Sequence, residues 1–308
     1  MIAAASMNRI LVIRGGAIGD FVLTLPAVKL LRDRFPNAHL EILGYKHIAA
    51  LAEKRFYAEA VRSIESASLA KFFAKDSVLP ADLLDYFGSF DLILSYLYDP
   101  DGIFEGNVKK SGSGVFVAGP SKLDKNQHAA FQLARPLQVL GLSLSDPAAR
   151  LFPTDDDRRA VSHLFDSCRW KIVFHPGSGS ETKNWPIENW IALGHALFER
   201  GRGLMVVGGE ADTAQIERLK AQWNGKAVRF VKHLSLPHLA ALLEESLFVG
   251  HDSGISHIAA AAGARCLLFF GPTDPQIWAP RNERVTVLRA PGGEMERLEV
   301  ETVLAHCR

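Results

Sequence analysis

The chain has 308 residues, of which 48% are hydrophobic and 22% charged, and its formal net charge at pH 7 is +1. This length is more than one core usually needs and suits two domains, and the composition is globular rather than disordered. The near-neutral charge argues against a nucleic-acid-binding protein, which needs a concentrated basic surface.

Targeting signals are weak in this sequence. No apolar run approaches the roughly 20 residues that cross a bilayer, and residues 1–7 are too short for a signal-peptide core. The spacing of Cys168, Cys266 and Cys307 fits neither a disulfide framework nor a metal site. We therefore expect reduced thiols in a cytoplasmic protein, and peripheral association with the inner membrane stays open.

Short apolar runs alternate with helix-like stretches in the first half of the chain. The predicted strands are residues 10–13, 40–43, 61–64, 92–96 and 115–117, and the predicted helices are residues 21–35, 49–54 and 127–140. A turn-rich passage with Pro147, Pro153 and three consecutive aspartates then indicates a linker and a helix start. We place a domain boundary between residues 150 and 151.

The alternation begins again in the second half. The predicted strands are residues 172–174, 204–207, 228–230, 247–249, 266–270 and 285–288, and the predicted helices are residues 186–200, 212–223, 236–244 and 253–262. Strands that alternate with helices favour parallel sheets covered on both faces. The prediction is an α/β protein of two Rossmann-like doubly wound domains that face a central cleft, with ligands at the carboxyl ends of the strands.

The turn "RGGAIGD", residues 14–20, connects the first strand to the first helix. It lacks the G-x-G-x-x-G pattern of dinucleotide sites, and the charge of Asp20 would repel a pyrophosphate. Two interpretations of Asp20 stay open at this point. It is either a helix cap or a general base that takes a proton from an incoming hydroxyl.

The stretch "HPGSGSETKNWP", residues 175–186, is a better anion site. Ser178, Gly179 and Ser180 offer N–H and hydroxyl donors with little steric obstruction, and Lys183 adds a mobile positive charge suited to a phosphate. The alternative is a solvated lysine in an exposed loop.

A third cluster is "GHDSGISHIAAAAG", residues 250–263. Asp252 can cap the following helix or accept a hydrogen bond from a ligand hydroxyl, Ser253 and Gly254 offer free amides, and His257 faces the same side as Ser253. A metal site that includes His251 is weakly indicated, because no ligand spacing demands it.

Two smaller signals lie in the same half. Glu210, in "VVGGEAD", is placed either to hold an adenosine ribose or to start a helix. The turn "FFGPTDP" brings Thr273 and Asp274 to the predicted cleft, and we interpret it mainly as architecture.

Three segments, "ILVIRGGAIGDFVLTLPAVKLL", "HPGSGSETKNWP" and "HDSGISHIAAAAGA…GPTDP", resemble the ADP-heptose:lipopolysaccharide heptosyltransferase family, glycosyltransferase family 9. The resemblance implies a GT-B fold with an acceptor-binding N-terminal domain and a nucleotide-sugar-binding C-terminal domain. It also implies that the last helix, within residues 295–307, crosses back onto the first domain. Members are typically inverting transferases that move heptose from ADP-heptose to a sugar of the lipopolysaccharide core.

The resemblance assigns roles to individual residues. The family's catalytic aspartate falls on Asp20 and its phosphate-binding lysine on Lys183, while the nucleoside contact falls on Glu210. Its D-[TS]-G-x-x-H element falls on Asp252, Ser253, Gly254 and His257. The ADP-sugar is then a substrate and no cofactor is required. Assistance by a divalent cation stays open, although nothing in the sequence looks like a dedicated metal site.

The acceptor site is less defined. Gly19, Lys46 and Arg55 are candidate contacts to a glycan or glycolipid acceptor, although a solvated helix face explains the two cations about as well. Residues 96–114 match no acceptor site. Two further functions stay open: a GT-B enzyme that uses another nucleotide sugar, as a transferase or an epimerase, and a non-catalytic nucleotide-sugar binder. The presence of Asp20 argues against the second.

Overall fold

A computed structural model describes residues 7–164 and 172–307, except the side chain of Glu210. Cys168 lies outside the described residues. The chain divides into two compact units, Met1–Pro147 and Ala148–Arg308. Each unit contains one parallel β-sheet, and the two-unit α/β architecture predicted from the alternation of strands and helices is confirmed.

The first unit contains a five-stranded sheet. Its strands are β1 (Arg9–Arg14), β2 (His39–Gly44), β3 (Ala60–Ser63), β4 (Leu92–Ser95) and β5 (Val115–Ala118). They lie in the order β3-β2-β1-β4-β5, and every neighbouring pair is parallel. The order reverses between β1 and β4, so the crevice expected for a ligand lies where these two strands end.

Five α-helices accompany this sheet in the described part of the unit. They are α1 (Ile18–Arg34), α2 (Lys46–Ala49), α3 (Ala81–Gly88), α4 (Ile103–Lys109) and α5 (Ala129–Ala134). The middle of α1, residues 21–28, is buried on nearly all sides, because the helix also packs against α5. This packing holds the start of α1 in place, at the point where the turn after β1 ends.

Two helices predicted in this unit differ from the structure. The prediction of a helix over residues 49–54 is wrong: α2 ends at Ala49, and Lys54 has a φ of 52°, which a helix does not contain. The prediction over residues 127–140 is correct only in part. Helix α5 is followed by a 3₁₀ helix, Arg135–Leu140, because Pro136 has no N–H to donate. Helices α3 and α4 are not predicted from the sequence.

The second unit contains a six-stranded sheet. Its strands are β6 (Ile172–His175), β7 (Leu204–Gly208), β8 (Val228–Lys232), β9 (Leu247–His251), β10 (Arg265–Phe270) and β11 (Val285–Arg289). Their order is β11-β10-β9-β6-β7-β8, all parallel, with the reversal between β6 and β9. The helices are α6 (Asp155–Val161), α7 (Ile187–Glu199), α8 (Thr213–Gln222), α9 (Leu236–Leu243), α10 (Gly254–Ala261), α11 (Pro275–Trp278) and α12 (Val300–His306).

The core of the second unit is rich in large aromatic side chains. Trp185, Trp190 and Phe269 lie edge to face or tilted against one another, with ring centroids 5.1–5.7 Å apart. Helix α12 packs on α7 and buries Val303 in this core. That contact is within the second unit, and the expectation that the last segment also lies on the first unit stays a prediction.

The two described cysteines are buried and unpaired. Burial raises the pKa of Cys266 to about 12 and that of Cys307 to about 11, so both remain thiols at neutral pH. Neither is placed to act as a nucleophile.

Candidate active site: two polar clusters at the strand ends

The first cluster is the aspartate turn, residues 14–20, which leaves β1 and enters α1. Gly16 has a φ of +93°, in the left-handed region that favours glycine. A Cβ at this position would also lie 2.9 Å from Asp20 Oδ2. The turn therefore folds its own backbone closely around the Asp20 carboxylate.

Asp20 is the third residue of α1, and its carboxylate caps that helix. The Ala17 N–H donates to Asp20 Oδ2 at 3.1 Å, which satisfies one of the N–H groups left free at a helix start. The capping interpretation is thus part of the structure. The side chain is still 39% exposed, so the cap leaves the carboxylate accessible from solvent.

Arg14 positions the other carboxylate oxygen. Its Nη2 lies 3.7 Å from Asp20 Oδ1 and donates to the Asp20 carbonyl at 3.3 Å. The guanidinium is mostly buried and lies 5.5 Å from the centre of the Tyr96 ring. The Tyr96 hydroxyl donates to the Leu133 carbonyl at 2.7 Å, and burial raises the pKa of this tyrosine. Sequence analysis missed both Arg14 and Tyr96.

The acceptor candidates occupy different environments. Gly19 is part of the aspartate turn, and Lys46 is exposed directly after β2, at the same edge of the sheet. Arg55 Nη1 instead donates to the carbonyls of Ala50 and Glu53, so its guanidinium holds the turn after α2 together. An acceptor role for these three residues stays a prediction.

Residues 96–114, which sequence analysis left unassigned, contain α4. The Asp99 carboxylate accepts hydrogen bonds from the N–H groups of Phe104 and Glu105, at 3.1 and 2.9 Å, and so caps this helix. Lys109 forms an ion pair with Glu105. These charges therefore have structural roles.

The second cluster lies where strands β6, β9 and β10 end. It includes the lysine loop, residues 176–185, which connects β6 to α7. Lys183 ends a 3₁₀ helix, Glu181–Lys183, and its Nζ lies 2.7 Å from Asp252 Oδ2. The Thr273 hydroxyl donates to the same oxygen at 2.8 Å. Asp252 follows β9 and Thr273 follows β10, so three strand ends meet at this carboxylate.

The hydroxyl candidates of the lysine loop contact one another. Ser178 Oγ donates to the Ser180 carbonyl at 2.8 Å and accepts from the Ser180 N–H at 3.3 Å. A Cβ at Gly179 would meet no atom within 4 Å, which leaves open space beside the backbone. The tip of the loop is thus ordered by local hydrogen bonds and accessible.

Ser253 begins α10, and its hydroxyl accepts the Ser256 N–H at 3.4 Å. Gly254 is the first helical residue, so its amide is among those free at the helix start. His257 is only 5% exposed, which leaves little of its ring for a ligand. The donor-binding role predicted for His257 stays a prediction, as do those of Ser253 and Gly254.

Two buried residues of this cluster, Asp212 and His175, were not predicted as site residues, and a third, His251, was indicated only as part of the weak metal site. Asp212 Oδ2 accepts from the Gly209 N–H at 2.8 Å and lies 3.4 Å from His175 Nε2. Burial raises the pKa of Asp212, but hydrogen bonds from His175 and Gly209 outweigh this effect and lower it overall. His251 is fully buried. The Glu210 side chain, predicted as a ribose contact, is not among the described atoms.

In residues 7–164 and 172–307 no group of three His, Cys, Asp or Glu side chains is placed to hold a metal ion. The weakly indicated metal site at residues 251–257 has a further difficulty, because both ring nitrogens of His251 already have partners in the protein. In the same described part of the chain, no helix has the length and apolar character needed to cross a bilayer.

Two parallel α/β units, each with a polar cluster where its strand order reverses, are the architecture of the GT-B class of glycosyltransferases. Solved structures share this fold. A family 9 glycosyl transferase from Veillonella parvula has a TM-score of 0.82 at 17% identity, covering 98% of this chain and 97% of that one. E. coli heptosyltransferase WaaC with ADP has a TM-score of 0.74 at 21% identity, covering 97% and 98%.

The sequence comparisons identify the family. The profile of glycosyltransferase family 9 (heptosyltransferase) matches residues 119–307. Lipopolysaccharide heptosyltransferase 1 of Escherichia coli O18:K1:H7 is 24% identical, over 96% of this chain and 95% of its own length. Lipopolysaccharide heptosyltransferase 3 of Escherichia coli is 23% identical, over 85% and 83%. This chain belongs to glycosyltransferase family 9, which confirms the resemblance found in its motifs.

Proposed function

We propose that this enzyme transfers a heptosyl residue from ADP-heptose to a sugar hydroxyl of a lipopolysaccharide core, with inversion at the anomeric carbon. Family membership and the similarity to lipopolysaccharide heptosyltransferases support the reaction class. A related structure, E. coli WaaC, is described with ADP-2-deoxy-2-fluoro heptose. The observation that carries the proposal is the Lys183 ammonium, held at the carboxyl edge of the second sheet beside a loop of small donors.

The second unit binds the donor in this proposal. The diphosphate lies over the tip of the lysine loop and the start of α10, where Ser178, Gly179, Ser180, Ser253 and Gly254 supply N–H and hydroxyl donors. Lys183 and these groups stabilise the negative charge that develops on the departing ADP. Lys183 is partly exposed, so its ammonium can reach a phosphate without leaving Asp252. Asp252 accepts a hydrogen bond from a sugar hydroxyl, and Glu210 contacts the ribose.

The first unit binds the acceptor and supplies the base. Asp20 removes the proton of the acceptor hydroxyl as its oxygen attacks the anomeric carbon from the face opposite ADP. One displacement of this kind inverts the configuration and forms no covalent enzyme intermediate. The hydrogen bond from Ala17 and the contact with Arg14 support this role, since they fix the carboxylate while leaving it exposed.

The reaction needs no cofactor in this mechanism, because Lys183 and backbone amides take the place that a divalent cation has in other nucleotide-sugar enzymes. A lipid-linked core acceptor would bring the enzyme to the inner face of the cytoplasmic membrane. The proposal therefore includes a reaction without a cofactor and a peripheral location at this membrane.

The proposal is tested by incubating the protein with ADP-heptose and candidate core acceptors. We expect a product heavier than the acceptor by one heptosyl unit, identified by mass spectrometry. Thermal shifts with ADP, UDP, GDP and CMP give an independent measure of the nucleotide. Strongest stabilisation by UDP would count against ADP-heptose and favour a GT-B enzyme with a different donor.

A further inference from the structure

His251 contacts both ends of the lysine loop with one side chain. Its Nε2 accepts the backbone N–H of Trp185 at 2.8 Å, and its Nδ1 lies 3.4 Å from the carbonyl oxygen of Gly177. The two partners are eight positions apart in the sequence. The segment between them contains Ser178, Gly179, Ser180 and Lys183, which are the loop residues proposed to hold the diphosphate.

The hydrogen-bond pattern determines the tautomer of His251. A backbone N–H can only donate, so Nε2 must be the unprotonated nitrogen of the ring. The proton of the neutral imidazole is then on Nδ1 and points to the Gly177 carbonyl. The ring is enclosed by Trp190 and Phe269, at centroid distances of 5.5 and 5.9 Å, and this burial lowers its pKa to about 3. One defined tautomer therefore makes both contacts at neutral pH.

The loop has further support on either side of His251. The next residue, Asp252, holds the Lys183 ammonium, so two consecutive residues at the end of β9 fix the backbone and the charge of the loop. Asp212 packs closely against Gly177 on another side, because a Cβ at Gly177 would lie 1.6 Å from Asp212 Oδ1. This end of the loop therefore has no room for a side chain, and its carbonyl faces His251.

We propose that His251 is a positioning residue, which sets the conformation of the lysine loop and so determines how tightly the protein binds the donor diphosphate. The link to the diphosphate rests on the proposed function. The link to the loop rests on the hydrogen bonds alone. A side chain that merely filled the core would affect stability without changing the order of the loop.

The test compares three variants with the wild-type protein. His251→Leu has a similar volume and removes both hydrogen bonds. His251→Asn keeps a short polar side chain that can reach the Gly177 carbonyl but loses the contact with Trp185. Ser246→Ala is the matched control: Ser246 is buried at the opposite end of β9 and donates to the Leu243 carbonyl at 2.7 Å.

Each protein is compared by hydrogen exchange, calorimetry, steady-state kinetics and a measurement of stability. Hydrogen exchange of the Trp185 amide reports the loop without any ligand, and calorimetry with ADP reports binding. In His251→Leu we expect the Trp185 amide to exchange about tenfold faster and the ADP dissociation constant to rise about tenfold. The variant loses a buried hydrogen bond and leaves the Trp185 N–H without its acceptor. His251→Asn should also lose protection at Trp185, and it replaces the leucine variant if that protein does not fold.

We expect Ser246→Ala to lose stability while Trp185 protection and ADP affinity stay at wild-type values. Donor KM should rise more than kcat falls in the His251 variants, because the loop acts through binding. If the His251 variants keep wild-type protection at Trp185 and bind ADP as the control does, the inference is wrong. If the wild-type protein binds no ADP while Trp185 responds as described, the positioning role stands and the proposed function fails.

Discussion

The aspartate turn and the lysine loop occupy the same place in two sheets. Each follows the central strand at which the strand order reverses, β1 in the first unit and β6 in the second, and each leads into a helix. The first turn presents a carboxylate and the second an ammonium group. In both units a glycine-containing turn connects a strand to a helix. The charged residue near the end of the turn therefore decides which chemistry the turn can support.

The two also differ in how they are held. The Asp20 carboxylate bonds to Ala17, three residues away, whereas Lys183 and Trp185 are bound by Asp252 and His251, 69 and 66 residues away. The aspartate turn is thus ordered mainly by its own sequence, with Arg14 as a near neighbour. The lysine loop depends on the strand beside it.

The largest expected effect is the loss of turnover when Asp20 of the aspartate turn is replaced. Asp20→Asn keeps an oxygen that can accept the Ala17 N–H, so the cap persists while the base is lost. We expect kcat to fall by at least about a hundredfold, the low end of general-base contributions, with unchanged ADP affinity. Steady-state kinetics and calorimetry measure the two. Asp33→Asn, on the exposed side of the same helix, is the control, and near-normal turnover of Asp20→Asn would reject the base assignment.

Replacing Lys183 in the lysine loop should weaken ADP binding, which replacing Asp20 should not. Lys183→Met removes the charge but keeps most of the side chain, and we expect the ADP dissociation constant to rise by about tenfold or more, since a charged hydrogen bond is lost. Turnover should fall as well. Lys220 is a partly exposed lysine of the same unit that pairs with Glu217, and the control variant Lys220→Met should bind ADP normally. Equal ADP affinity in the two variants would contradict the phosphate role.

We expect the stability of the folded protein to depend on pH mainly through His251, in the second cluster. The pKa of this ring is lowered to about 3 by burial, against about 6.5 when unfolded, so between these values the unfolded chain binds one more proton. Stability is therefore lost as pH falls below about 6.5, by about 1.4 kcal/mol per pH unit.

We expect His251→Leu to flatten this dependence, measured by urea unfolding between pH 7 and 5. The charged and titratable neighbours of the ring are His175, Asp212 and Asp252. The low pKa of Asp212 places its own titration below that range. An equally steep loss of stability in the leucine variant would assign the acid sensitivity to another group.

The smallest effect concerns Thr273, which we interpreted from the sequence mainly as architecture. Thr273→Val keeps the shape but removes the hydrogen bond to Asp252 Oδ2. Because Lys183 shares that oxygen, we expect donor KM to rise about threefold to tenfold, the size of one ordinary hydrogen bond, since Thr273 acts on the donor only through Asp252. Thr273→Ser should restore the wild-type KM. A valine variant with normal KM would confine Thr273 to architecture.

The sequence alone determined the strands, the two-unit α/β fold and the family. Each predicted strand in the described residues matches an observed one to within two residues at either end. Such strands can be recognised because a buried parallel strand is a short apolar run with turn residues at both ends. Asp20 and Lys183 were also singled out this way, since a charged side chain beside glycines stands out locally, and their roles as base and phosphate ligand stay predictions. Helices such as α3 and α4, bounded by weaker signals, were missed.

The tertiary structure decided which side chains meet. That Asp252 binds Lys183, that His251 holds Gly177 and Trp185, and that Arg14 lies against Tyr96 could not be read from any single segment. In a parallel sheet, neighbouring strand ends come from distant parts of the chain, and their register brings them together only when the whole sheet has formed.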